Sequence, residues 1–370
     1  MHALFVVLDA GGNVPPALAI ARALLRRGTA VTVLAPPALE PRILAAGLQF
    51  ARFRSGRFYD PRQQRSTLGG LRDFLSAAGD RGTGADALAV AQEVGAGVVV
   101  MDFLLTGAMA AVGRSDVPLV SLVHTPDRYA SAMPRSLVGV LLRLRGLDLA
   151  RVQSAADLRL VLSRPDLDRI GTAPERSRQT GVVWEGHPQP SVSGEPARIL
   201  VSLSTTAFPR QERTLQTVLD ALAELPVEVV ATTGPTMDPA TFSAPANAAV
   251  HRWLDHGVVL PTASLVVGHG GWSTTTRALS YGVPVLVIPS HPMLDQPLVG
   301  RALADSGVGD VLPRGSSAET IAATVRRLLA SEPVRAAATR LGEDIRRRDG
   351  AEVAADLVEM ACRPVDRSEG

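Results

Sequence analysis

The sequence predicts an α/β protein made of two Rossmann-like, doubly wound parallel-sheet halves facing a central cleft. Three observations carry that expectation. Apolar runs of strand type (LFVVL, GVVVMD, VPLVSLV, RILVSL, VPVLVIP) alternate with segments of helical period. Both halves place glycine-rich or hydroxyl-rich turns directly after such strands, where ligands bind in open α/β sheets. Between the halves, EGHPQPSVSGEPA (Glu185–Ala197) is rich in Pro, Gly and Ser and has no period, as in a linker. The expected division is therefore 1–186, a linker at 187–197, 198–350, and a C-terminal helix within 351–370.

The elements follow in order. MHALFVVLDAGG reads as a first strand and lacks the cationic start of a signal peptide. Pro15 and Pro16 suit the first turn of the next helix, which carries Leu18, Ala21, Leu24 and Leu25 and stops at Gly28. Phe58–Asp80 is polar and glycine-punctuated and is expected to form mobile loops. Val94–Gly113 is the most membrane-like window, but Asp102 at its middle favours a buried strand ending in a carboxylate, then a helix. Ser136–Leu149, SLVGVLLRLRGLDL, reads as an acceptor wall or as an amphipathic helix buried on one side, with contact to a membrane lipid as a lesser option. The second half restarts at ARILVSLSTT, with a helix near Thr214–Leu222 and a strand in VEVVATTG. AEVAADLVEMAC is helical.

Composition excludes several chemistries. All 38 basic residues are Arg, so there is no lysine for a phosphate loop, a Schiff base or a pyridoxal anchor. Net charge is only +2, and no dense Arg run with interleaved aromatics marks a nucleic-acid face. The single cysteine, Cys362, rules out an intrachain disulfide and fits a reducing, cytoplasmic setting. Seven histidines are scattered without metal-ligand spacing, so no protein-bound metal and no cofactor is expected.

The densest chemistry lies in Leu265–Gln296, LVVGHGGWSTTTRALSYGVPVLVIPSHPMLDQ. Gly268, Gly270 and Gly271 bracket His269 after a strand, and Ser273–Thr276 supply four hydroxyls suited to opening a helix. Such a helix start favours a phosphate. Gly282 stops the helix, VPVLVIP is the next strand, and Asp295 with Gln296 can bind a vicinal diol. This cassette resembles that of family-one nucleotide-sugar-dependent glycosyltransferases of the GT-B fold, bacterial natural-product type. The residues carrying the resemblance are His269, Gly270, Gly271, Thr274, Ala278, Leu279, Gly282, Val283, Pro284, Asp295 and Gln296. The loop from Pro289 to Asp295 is slightly longer than the commonest version.

The resemblance implies further roles. Ser204 and Thr205 in VSLSTT match a position near the diphosphate, although a strand end with capping hydroxyls explains them equally. Trp253 is similar to a tryptophan that stacks on the nucleotide base, against the alternative of a core residue; His256 beside it reads as solvated. The final helix is expected to cross back to the first domain. At the first turn the family places a basic His or Asp, and GGNVPP puts Asn13 there instead. An amide positions a hydroxyl but cannot take its proton; Asn13 is also a good helix cap. Asp102 matches the orienting carboxylate. The base is then Asp102, or His124 or Asp127 in HTPDR, or the acceptor needs little deprotonation; for His124 a structural role is the plainer reading.

The resulting expectation is an inverting enzyme moving a hexose or deoxyhexose from a dTDP- or UDP-sugar to a small hydrophobic aglycone. Donor contacts are expected from Ser204, Thr205, Trp253, His269, Gly270, Gly271, Ser273, Thr274, Asp295 and Gln296, and catalytic ones from Asn13, Asp102 and His124. The partners are a nucleoside diphosphate sugar and the aglycone, with neither nucleic acid nor stable membrane insertion; a homodimer is compatible with the sequence. A donor-binding helper protein and a lipid-acceptor enzyme remain open alternatives.

Overall fold

The computed structural model describes residues 1–58, 60, 62–63, 67–168, 176–184, 186–192 and 194–362. Its contacts divide the chain into two compact units. The N-terminal unit comprises Met1–Asp60, Arg65–Val183 and the chain from Asp349 onward; the C-terminal unit is built on Trp184–Arg348.

The N-terminal unit holds seven strands: β1 (His2–Val6), β2 (Ala30–Ala35), β3 (Gln49–Arg52), β4 (Val98–Asp102), β5 (Leu119–Val123), β6 (Leu158–Val161) and β7 (Ser177–Gln179). They pair in parallel in the order β3-β2-β1-β4-β5-β6-β7. Period-two alternation splits the first strand and its extension between two cores. Ala3, Phe5 and Val7 pack with Ala17, Leu24 and other residues of the helix Val14–Arg26. Leu4, Val6 and Leu8 pack with Ala87, Val90, Ala108 and Met109 from the helices Gly82–Val94 and Thr106–Val112. Each fully buried Leu or Phe here contributes about 1.5–3 kcal/mol. The last helix, Gly350–Ala361, joins the first of these cores through Ala351, Ala354, Ala355 and Val358.

The C-terminal unit holds β8 (Ala197–Ser202), β9 (Val227–Thr232), β10 (Ala248–His251), β11 (Ala263–Gly268), β12 (Val285–Val287) and β13 (Gly309–Val311). They form a parallel sheet ordered β10-β9-β8-β11-β12-β13. Ile199, Val201 and Leu203 meet Leu215, Val218, Leu219 and Leu222 of the helix Gln211–Leu222 and Ile321, Val325 and Leu328 of the helix Ala318–Ala330. In each sheet the order reverses beside the first strand, between β1 and β4 and between β8 and β11. Loops leaving those strands diverge and open a crevice at their carboxyl ends.

One expectation needs correction. Within Phe58–Asp80, expected as mobile loop, Thr67–Ala78 is an α-helix. Leu71, Phe74, Leu75 and Ala78 supply a 3–4 period that Gly69 and Gly70 obscured, and Leu75 enters a core with Leu142 and Leu147; positions 59, 61 and 64–66 lie outside the described residues. Within the expected linker, Ser191 and Val192 are anchored to the C-terminal unit. The Ser191 and Val192 amides donate to the Tyr281 and Pro261 carbonyls, both at 2.8 Å, and the Ser191 hydroxyl donates to the Ala263 carbonyl at 2.7 Å. Of the expected C-terminal segment, 363–370 lie outside the described residues.

Candidate active site

In the N-terminal unit the first turn and the end of β4 build one polar cluster. Gly11 has φ 82°, a left-handed conformation that glycine takes without strain, and it turns the chain from the extension of β1 into the helix at Val14. Asn13 is buried. It precedes that helix but makes no side-chain cap bond, which corrects the capping reading. Its Oδ1 accepts from the Ala10 amide at 3.0 Å. Its Nδ2 donates to the Leu8 carbonyl and to Asp102 Oδ2, both at 2.5 Å. Both amide hydrogens are thus taken, and Asn13 holds a carboxylate without being able to accept a proton.

Asp102, also buried, accepts the Leu104 amide on Oδ1 at 2.9 Å. Register brings the next residue: Asp102 pairs with Leu122 across β4 and β5, so His124 follows two residues beyond on the same side. His124 Nδ1 stands 3.4 Å from Asp102 Oδ2, close but not aligned as a hydrogen bond, and the ring lies edge-on to Phe103 with centroids 5.2 Å apart. Burial pushes the imidazole pKa down, partly opposed by Asp102, so the ring is neutral near pH 7. Asp127 does not join this group. Its carboxylate is buried against Arg159 and accepts from the Ser131 hydroxyl, in a structural ion pair.

In the C-terminal unit the His-Gly-Gly turn leaves β11 at the strand-order reversal. Gly271 occupies the cap position of the helix Trp272–Ser280 with no side-chain cap, so the hydroxyl-capping expectation fails. Thr276 Oγ1 instead donates back to the Trp272 carbonyl at 2.8 Å. Ser273 and Thr274 are half-buried in the first turn, and their hydroxyls bond to no described residue. The first-turn N–H groups of a helix also lack intrahelical partners. His269 Nδ1 is buried without a hydrogen-bond partner. Burial lowers the His269 pKa to about 4, with the Leu203 and Ser202 carbonyls opposing, so this side chain presents a dipole and not a charge.

Gly270, at φ 86°, packs where a Cβ would stand 2.9 Å from the Gln296 carbonyl oxygen and 2.8 Å from Val287. Its close approach is to the helix Gln296–Asp305, which brings Asp295 beside the turn. Asp295 ends the loop after β12, and burial raises its carboxyl to about 7. Gln296 is buried, and its Oε1 accepts the Ser290 and His291 amides at 2.8 and 2.9 Å. The two residues are therefore not an equivalent diol-binding pair, because the amide oxygen fixes its own loop.

Ser204 and Thr205 follow β8. Ser204 Oγ accepts the Thr206 amide at 3.0 Å, while buried Gln211, which sequence reasoning missed, accepts the Phe208 amide and donates to the Ser204 carbonyl. Trp253 is 71% exposed, which removes the core alternative. Two residues on, Asp255 accepts the Gly257 amide and pairs with Arg277 of the helix Trp272–Ser280 at 2.7 Å, tying the tryptophan's loop to that helix. Its Asp-x-Gly spacing was a visible cap signal. His256, read as solvated, is half-buried, and desolvation lowers its pKa to about 4. Among the described residues, no group of three or more His, Cys, Asp or Glu side chains could hold a metal ion, and no helix is long and apolar enough to cross a membrane.

Two parallel doubly wound units with these turns have the architecture of the GT-B fold, and comparison with known proteins gives its relatives. Residues 216–360 match the family "Erythromycin biosynthesis protein CIII-like, C-terminal domain". Demethyllactenocin mycarosyltransferase of Streptomyces fradiae is 26% identical over 411 residues, covering 98% of this chain and 87% of that protein. A PGL/p-HBAD biosynthesis glycosyltransferase of Mycobacterium tuberculosis is 33% identical over 202 residues, 54% of this chain, which spans about half (46%) of that relative. Among solved structures, the glycotransferase of kitacinnamycin superposes with TM-score 0.80 at 21% identity, covering 98% of this chain and 99% of that one. Glycosyltransferase VinC in complex with dTDP superposes with TM-score 0.72 at 19% identity, covering 98% and 99%. The chain has the GT-B fold of two parallel-sheet α/β domains, and the relatives it matches are named as glycosyltransferases.

Proposed function

We propose that the protein is an inverting glycosyltransferase that moves a hexose or deoxyhexose from a dTDP- or UDP-sugar to a small hydrophobic aglycone, with His124 as base and Asp102 as its orienting partner. One observation carries the assignment of the base: Asn13, in the expected base position, has both amide hydrogens committed, one to the carboxylate that also faces His124 Nδ1. A proton on Nδ1 directed at Asp102 leaves Nε2 with a free lone pair, and the lowered pKa keeps it free at neutral pH. In the transfer, the acceptor oxygen forms a bond to the anomeric carbon as the carbon–phosphate-oxygen bond breaks on the opposite face. The acceptor proton passes to Nε2, where Asp102 stabilises the imidazolium, and the nucleoside diphosphate departs with the bonding pair.

Support for the donor side comes from the helix start at Trp272, the hydroxyls of Ser273 and Thr274, and the unpartnered His269 Nδ1, all suited to a diphosphate. Exposed Trp253 offers a face to the base, and Ser204 and Thr205 follow β8, across the strand-order reversal from the His-Gly-Gly turn after β11. Asp295 is left as the oxygen acceptor for sugar hydroxyls because Gln296 Oε1 is taken, an economy that fits a deoxyhexose. VinC's complex with dTDP favours a thymidine donor here. No protein-held metal is invoked, since these groups already meet the leaving charge.

The competing reading, a donor-binding helper, rests on Asn13. Incubating the protein with dTDP- and UDP-sugars and a panel of phenolic and alcoholic acceptors, while following nucleotide release and glycoside formation, separates the two. The enzyme reading expects glycoside on at least one acceptor, with EDTA leaving the rate unchanged. Donor binding without turnover on any acceptor overturns it.

A further inference from the structure

The N-terminal unit carries an apolar and cationic surface in Ser136–Leu149, the stretch whose sequence reads as an acceptor wall or a one-sided amphipathic helix. The helix Leu137–Leu144, LVGVLLRL, is apolar on nearly every side, yet only Gly139 and Leu142 are fully buried. Leu137 is 55% and Leu144 79% exposed; seven residues apart, they sit on one face, opposite the buried pair. Such a helix is ordinarily enclosed by protein. Here the outward apolar face is left open.

Its surroundings are cationic. Arg128, Arg135, Arg143, Arg145 and Arg151 are all exposed, and none forms an ion pair with a described residue, whereas arginines such as Arg27, Arg54, Arg198 and Arg277 do. Between Arg128 and Arg151 the one acidic residue is Asp148, whose Oδ1 accepts the Arg151 amide at the start of the next helix. Arg135 and Arg143 also line a cavity of about 260 Å³ with Ser131, Gly139, Asp148 and Leu149.

We propose that this face binds an anionic lipid bilayer surface, with Leu137 and Leu144 entering the headgroup boundary and the five arginines held against lipid phosphates. Exposed leucines flanked by long cationic side chains match an interfacial helix, whose apolar face enters while the charged heads stay at the phosphate level. Charge decides against a second copy of this chain as the occupant, because a two-fold contact places these arginines against themselves. An arginine-lined cavity gives a phosphate headgroup a seat that bare surface charge lacks. The inference concerns surface association, which the absence of a membrane-crossing helix among the described residues leaves untouched, and it does not rest on the transfer chemistry.

Sedimentation of the full chain with vesicles of phosphatidylcholine, alone or mixed with phosphatidylglycerol, tests it. Binding is expected only to the mixed vesicles and weakens with salt. Arg135→Gln with Arg143→Gln lowers the partition coefficient roughly tenfold or more, and Leu144→Asp lowers it independently. Arg326→Gln with Arg340→Gln, exposed arginines of the C-terminal unit, leaves it unchanged. The substitutions are at exposed sites, and thermal unfolding verifies that each variant is folded. The proposal is overturned by equal binding to neutral vesicles, by no binding to anionic ones, or by full retention in the Arg135/Arg143 variant. Soluble polyglutamate displacing the protein from vesicles as efficiently as anionic vesicles themselves do would also overturn it, showing a site for an acidic protein.

Discussion

At the scale of residues, the polar cluster at Asn13, Asp102 and His124 turns on which atom can take a proton. His124→Gln keeps a polar side chain without the basic nitrogen and is expected to lower kcat by about 10² or more, with little change in donor KM. Asp102→Asn should fall by a similar factor. An unchanged kcat for either variant in steady-state assays removes that residue from the mechanism. The pH profile supplies a second reading. Because burial lowers the His124 pKa below 6.5, the neutral base survives as pH falls through 6.5, and the acid limb of kcat/KM lies below that value. Asp102 opposes the shift, so the Asp102→Asn variant moves the limb lower still. A limb above 6.5, or one that rises in the variant, contradicts the assignment. The sequence showed Asn13 in an unusual place and Asp102 at a strand end, but not their contact. That contact spans 89 positions and depends on strand register, which local pattern does not encode. The commitment of Gln296 to its own loop was hidden for a similar reason, since its oxygen is claimed by backbone amides and not by any motif partner.

At the scale of elements, the cassette from β11 to the helix Gln296–Asp305 was the most legible part of the chain, because strand, glycine turn, helix and strand follow one another locally. Its glycines nevertheless work differently from one another. Gly28 has φ +84° and open space around the position of a Cβ, so Gly28→Ala should cost only the left-handed strain, about 1–2 kcal/mol. Gly270 combines φ +86° with backbone of Gln296 in the way, so relief requires separating the turn from the helix that bears Asp295. Gly270→Ala is therefore expected to cost more, and to raise the donor KM, where Gly28→Ala does not. Urea unfolding and donor titration of the two variants side by side check this. Equal losses would mean that the close packing at Gly270 contributes nothing beyond backbone strain. The helix Thr67–Ala78 was obscured by the opposite circumstance. Its apolar period was present, but two glycines at its start carried a loop signal that packing against Leu142 and Leu147 overrides.

At the scale of the whole molecule, chain order and fold order differ. The C-terminal unit is essentially continuous from Trp184 to Arg348 and closes its own core around Ile199, Leu219 and Val325. The N-terminal unit is discontinuous: Ala351, Ala354, Ala355 and Val358 lie at most 3% exposed in its core, beside Ala17, Ala21 and Leu24. Burying that helix face contributes several kcal/mol, comparable to the net stability of an ordinary domain of 5–15 kcal/mol. Ion pairs of Arg26 and Arg27 with Glu352 and Asp356 are partly exposed and contribute little beside it. A fragment of Trp184–Arg348 should thus unfold cooperatively in urea, whereas Met1–Val183 alone should be marginal or expanded. Joining 349–362 to Met1–Val183 by a short Gly-Ser linker should restore a cooperative transition, because the Gly350 amide already donates to the Val182 carbonyl at 3.2 Å and the ends to be joined are adjacent. Circular dichroism across a urea series distinguishes the cases. If Met1–Val183 unfolds at the same midpoint as the joined chain, the last helix is an ornament on a complete unit. If it does not, the N-terminal unit, which carries Asp102 and His124, is finished only after the rest of the chain has been made.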